Sequence, residues 1–240
     1  MNQTTLNQLN EMRLHGMQEA LRAIETEPGH GDLTTGQVIS RIIQAEWDYR
    51  ENAKIQHCLK GANFRYQASI NGLDYSPARG LDRNIIDRLS DCSYISRAEN
   101  IIITGLTGVG KSYLASALGH QACLHGKKVL YKNAHKLFAQ LRVAKLDGTY
   151  LKELDHIAKK DLFIIDDHAL EVMDHETSLM LLEILEDRTG RKSTIIASQL
   201  PFDKWYDVIK EKTIADAIMD RLMCSHKITL KGESMRRKKK

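Results

Sequence analysis

Between Gly105 and Ser112 the chain has the spacing Gly105-x-x-x-x-Gly110-Lys111-Ser112. Glycines so placed let the backbone curl until its N–H groups converge on an anion. The lysine that follows brings a positive charge to the outer phosphates of a nucleotide, and the hydroxyl after it joins the shell of a magnesium ion. Gly105, Thr107, Gly108, Val109, Gly110, Lys111, Ser112 and Tyr113 are therefore the expected ATP contacts, with Ser112 also on Mg2+. Further along, Leu162-Phe-Ile-Ile-Asp166-Asp167 sets two carboxylates behind four apolar residues. At the end of a buried strand, Asp166 would hold the metal and Asp167 would orient or deprotonate an attacking water. A third run, Ser193-Thr-Ile-Ile-Ala-Ser198-Gln199, ends in polar groups. If its strand neighbours the one before the glycines, Ser198 or Gln199 faces the γ-phosphate, and Ser198 is taken as the catalytic contact.

These groups need a sheet to hold them. Asn100 to Thr104, Lys128 to Tyr131, Leu162 to Asp166, Thr194 to Ala197 and Lys227 to Leu230 read as five short strands. Helical patterns such as Leu179 to Glu186 fill the gaps. Strands alternating with helices predict an α/β fold with a parallel sheet covered on both faces. The glycine-rich turn would then lie between a strand and a helix, whose positive N-terminal end favours phosphate. Upstream, Leu6, Leu9, Leu14, Met17, Leu21 and Ile24 predict one helix ending at Pro28-Gly29. A second is predicted from Thr34 or Thr35 toward Gly61. The expected organisation is a helical domain over 1–78, an ATPase domain over 79–231 and a basic tail over 232–240.

Composition narrows the classes. Of 240 residues, 42% are hydrophobic and 28% charged, the balance of a globular chain with a core. The polar start lacks a signal-peptide core, and no apolar run approaches a membrane span. Cys58, Cys92, Cys123 and Cys224 are scattered, which argues against a disulfide framework and for a reducing, cytoplasmic setting. Net charge is +4, but six of the basic residues fall in Lys231 to Lys240, so the body is close to neutral. That tail fits either nucleic-acid contact or a solvated end. His168 and His175 are read as residues of a solvated loop.

Together, the glycine-rich loop, the Asp166-Asp167 strand, Leu182 to Arg191, Ser193 to Pro201 and Leu230 to Arg236 resemble IstB, the AAA+ ATPase partner of transposases in two-gene insertion sequences. The DnaC helicase loader is a more distant resemblance. The resemblance implies an AAA+ P-loop NTPase with a five-stranded sheet in the order 5-1-4-3-2 and no C-terminal lid domain. It implies a bacterial, cytoplasmic ATPase, slow and stimulated by DNA or a partner. It also implies a homo-oligomer with ATP sites between subunits, acting with double-stranded DNA and a cognate transposase. A replicative helicase loader is the alternative.

In the same frame, Ile218-Met-Asp-Arg221-Leu-Met resembles the block carrying a trans-acting arginine finger, with Arg188 as second candidate. The competing reading of Arg221 is a surface salt bridge with Asp216 or Asp220. Lys132, Lys136, Arg142 and Lys145 fall where related proteins line a DNA channel. An ordinary solvated helix face explains them equally well.

Overall fold

The computed structural model describes residues 3–28, 33–168 and 172–235. Gly29 and the basic run 236–240 lie outside them. The chain divides into two compact units, Met1–His57 and Cys58–Lys240.

The first unit contains α1 (Gln3–Glu11), α2 (His15–Thr26) and most of α3 (Thr35–Ala62). The single helix expected before Pro28 is two, because Arg13 takes a left-handed φ of 57° and turns the chain. An apolar period continues across such a break and does not reveal it. A capping box starts α3. Thr34 Oγ1 accepts from the Gln37 amide, and Gln37 Oε1 accepts from the Thr34 amide at 2.8 Å. Along α3, Glu46 is buried and accepts from the Met17 amide, whereas Ile39, Ile43 and Trp47 are exposed.

In the second unit, α4 (Arg83–Ser90) and the short α5 (Ser93–Ser96) lead to β1 (Ile101–Thr104). There follow α6 (Lys111–Leu124), β2 (Val129–Asn133), α7 (Ala134–Leu146), α8 (Tyr150–Ala158) and β3 (Leu162–His168). The chain then forms α9 (His175–Arg188), β4 (Ser193–Ser198), α10 (Trp205–Val208), α11 (Lys212–Leu222) and β5 (His226–Thr229). All strand pairs are parallel, in the order β2-β3-β4-β1-β5, which is the expected order read from the other edge.

Strand residues alternate between two cores. Ile101, Ile103, Tyr131, Ile164 and Ile195 face α4, α5 and α6, while Ile102, Leu130, Phe163, Ile165 and Ile196 face α7 to α11. Burial on both faces explains why β1 to β4 read as largely apolar runs, whereas the edge strand β5 buries only Ile228.

The division after His57 falls well before the expected boundary at 78. Cys58, Leu59, Phe64, Ile70, Leu73 and Tyr75 pack against the first of these cores, so 58–78 belongs with the sheet. The segment 232–235, expected with the tail, is also part of this unit: the Met235 amide donates to Gly108 O at 2.9 Å.

Candidate functional site

The glycine-rich loop leaves β1 and enters α6, at the C-terminal edge where open α/β sheets bind ligands. Gly105, Gly108 and Gly110 all take positive φ, so a curled backbone requires them. Lys111 is nearly buried, its Nζ 2.8 Å from Gly105 O and 2.9 Å from Leu106 O. Thr107 Oγ1 donates to Gln199 Oε1 at 2.6 Å, tying the loop to the end of β4. Of the two polar residues at that end, Gln199 lines the cavity. Ser198 is fully buried and its Oγ accepts from the Leu200 amide, so it is Gln199, not Ser198, that faces the loop.

The two acids owe their placement to an irregularity in β3. Its register with β4 shifts between Ile165 and His168, and Asp167 takes a φ of 57°. In a regular strand, neighbouring side chains point to opposite faces. The bulge brings both carboxylates to one side, where Arg65 Nη1 lies 3.0 Å from Asp167 and 3.8 Å from Asp166. Asp166 is wholly buried. It accepts from Ser112 Oγ at 2.9 Å and from the Tyr131 hydroxyl. Burial raises its pKa above the ordinary carboxylate value, against the opposing effect of those hydrogen bonds. Tyr131 is pushed up by burial and by Asp166. Asn133 Nδ2 donates to Asp167 Oδ2 at 3.2 Å, so two donors from separate segments grip that carboxylate. Asn133 ends β2 and Arg65 precedes the sheet. Asn133 also caps α7, its Oδ1 accepting from the Lys136 amide, but nothing local marks either residue as a partner of Asp167, and the parallel pairing of β2 with β3 places Asn133 there.

The donor set fits Mg2+. Ser112 Oγ and Asp166 Oδ1 are hard oxygens within 2.9 Å of each other, and a buried carboxylate lacks a full countercharge. Among the described residues no cluster of three His, Cys, Asp or Glu side chains could hold a metal unaided. A cation completed by water and phosphate oxygens is the mode Mg2+ favours. The cavity beside the loop measures about 720 Å³, within the range of small-molecule sites. Tyr66, Leu73, Leu81, Tyr113, Leu230 and Met235 give it an apolar lining, contributed largely by segments the motif does not cover.

The remaining candidates scatter. Arg221 donates to Ala217 O and pairs with Glu186 at 2.5 Å, rather than with Asp216 or Asp220. Arg188 is fully buried, donating to Thr194 Oγ1 and to the carbonyls of Ile157, Lys160 and Ser193. With four donations inside its own chain it is a structural pin and cannot serve as a finger. Arg142 pairs with Asp174 and Glu176, and Lys145 with Glu176. Lys132 bonds Gln140, and Lys136 is exposed. His168 is not in a solvated loop: it ends β3, buried against Trp205 at 4.7 Å. Burial lowers its pKa to about 4. His175 pairs with Glu211.

Comparison with known proteins agrees with this geometry. The profile of a family described as IstB-like ATP binding protein matches residues 7–240. The insertion sequence ATP-binding protein y4pL of Sinorhizobium fredii is 42% identical over 97% of this chain and 96% of its own. Among solved structures, DnaI has a TM-score of 0.59 at 21% identity, covering 75% of this chain and 92% of DnaI. The DnaC helicase loader has a TM-score of 0.58 at 16% identity, covering 69% and 98%. At such identities the two structures show the shared fold alone. No helix among the described residues is long and apolar enough to cross a membrane.

Proposed function

The chain belongs to the family of IstB-like ATP binding proteins, and from that premise we propose that it is an ATP-hydrolysing, DNA-binding helper of transposition. On this reading it assembles on double-stranded DNA with ATP, selects or remodels the target, and stimulates a cognate transposase. The observation that carries the reading is the meeting of Ser112, Asp166 and Asp167 at one sheet edge, in a chain whose relatives are insertion-sequence ATP-binding proteins.

Each residue then has a task. The loop amides and Lys111 hold the phosphates. Ser112 and Asp166 hold Mg2+, which would neutralise phosphate charge. Asp167, aimed by Asn133 and Arg65, orients the water that attacks the γ-phosphorus and takes its proton, and ADP leaves. Arg221 of a neighbouring copy would leave Glu186 and offset charge in the transition state, a contribution of about 10³–10⁵ in rate elsewhere. Lys132 and Lys136 are the nearer DNA contacts, since Arg142 and Lys145 must first release Asp174 and Glu176. Such contacts would be sequence-independent and weaken with salt.

Electron microscopy of the purified protein with duplex DNA and a non-hydrolysable ATP analogue tests this. Closed or helical assemblies on DNA are expected. A strictly monomeric species indifferent to DNA sinks the reading, and capture of a replicative helicase in place of a transposase redirects it.

A further inference from the structure

One side of the nucleotide cavity is closed by the C-terminal segment of the same chain. Past β5, the Leu230 amide donates to Thr104 O and the Lys231 amide to Arg79 O, both at 2.8 Å. Arg79 is buried. Its Nη1 donates to Glu233 O at 2.9 Å and its Nε to Asp74 at 3.2 Å, clasping the segment to the 74–81 stretch. The Met235 amide then reaches Gly108 O at 2.9 Å.

Packing between this segment and the loop leaves no room for side chains. A Cβ on Gly105 would stand 2.4 Å from Leu230 O, and one on Gly108 would stand 2.2 Å from Ser234 Oγ. The first of these obstacles is backbone. Two glycines of the loop are thus required by what lies outside it, in addition to any phosphate inside.

The Met235 bond has a directional effect. In a trans peptide the C=O of one residue and the N–H of the next point opposite ways. Pinning Gly108 O outward to Met235 aims the Val109 N–H away from the segment, toward the loop interior. That amide makes only a long 3.5 Å bond to Leu106 O, which a phosphate oxygen would readily replace. Leu230 and Met235 also line the cavity with Leu73 and Leu81, forming an apolar surface suited to the flat face of a base.

We propose that Leu230–Met235 is a strap that forms a working part of the nucleotide site, bracing the loop from outside and walling the nucleoside. The proposal rests on the nucleotide reading of Gly105 to Ser112. Coupling between two sites is reciprocal, so a strap that tightens ATP binding is itself held down by ATP.

A fluorescent ATP analogue titrated into the full-length wild type and into Met235→Pro, which lacks the donating N–H, tests the strap. About a tenfold rise in Kd is expected from losing one hydrogen bond and one apolar contact. If the wild type fails to bind, the nucleotide reading and the strap both fall. If it binds and the variant matches it within about twofold, only the strap falls. A measurement on the wild type alone avoids any folding defect. Hydrogen exchange at the Met235 amide should slow about tenfold when the analogue is added, and unchanged exchange overturns the strap.

Discussion

Asp166 shows how a single residue sets stability against chemistry. Its burial raises the folded-state pKa, so its contribution to the stability of the nucleotide-free fold is full below the ordinary carboxylate value. That contribution is lost as pH rises through the raised value. At neutral pH the fold therefore carries a costly charge. Asp166→Asn should raise the melting temperature measured without nucleotide. It should also abolish Mg2+-dependent ATP turnover. Thermal scans with and without Mg2+ and ATP check both; a lowered melting point would mean that the Ser112 and Tyr131 bonds outweigh the charge. Arg188 behaves oppositely. Arg188→Ala removes four buried hydrogen bonds, to Thr194 Oγ1 and to the carbonyls of Ile157, Lys160 and Ser193, and leaves a cavity, so urea unfolding should show a loss of about 3–5 kcal/mol. The two acids were legible in the sequence because they follow an apolar run. Arg65 and Asn133, which grip Asp167, were not, because each reaches it through tertiary placement alone.

The C-terminal end of β3 is where an element departs from its pattern. Apolar runs marked β1 to β4, since burial on both faces favours apolar residues there, whereas the edge strand β5 is mostly exposed and buries only Ile228. The bulge at Asp167 left no mark, because backbone conformation at a polar residue is decided by what it must meet. The next residue, His168, turns to the opposite core and meets the Trp205 ring edge-on. Its pKa falls from 6.5 to about 4 by burial, so its stabilising contribution is complete above 6.5 and is lost as pH falls toward 4. Over that window the loss amounts to about 3 kcal/mol. His168→Leu should flatten the pH dependence of urea unfolding there; an unaltered slope would assign the acid sensitivity to other groups. The break at Arg13 was equally hidden, since Leu14 and Met17 keep the helical period across it.

For the whole molecule, the boundary after His57 follows from packing, where the sequence offered only Gly72, Pro77 and Gly80 as breakers. Those residues mark turns inside the ATP-binding unit, because the apolar side chains between them pack against the sheet core. Arg221 is the one catalytic proposal that a single chain cannot fulfil while Glu186 holds it. Arg221→Ala should bind ATP yet lose turnover, and so should Asp167→Asn. Mixing the two should restore part of the DNA-stimulated rate, since some interfaces would combine an intact acid with an intact arginine. No recovery at any ratio counts against a finger acting between copies.

The contact between His168 and Trp205 has an optical consequence. The chain has two tryptophans: Trp205 is fully buried, whereas Trp47 in the other unit is 64% exposed. Iodide should therefore quench Trp47 and spare Trp205. In a Trp47→Phe background the remaining emission comes from an indole in contact with the residue after Asp167. Binding events that shift the end of β3 can then be followed by intrinsic fluorescence, without attaching a dye.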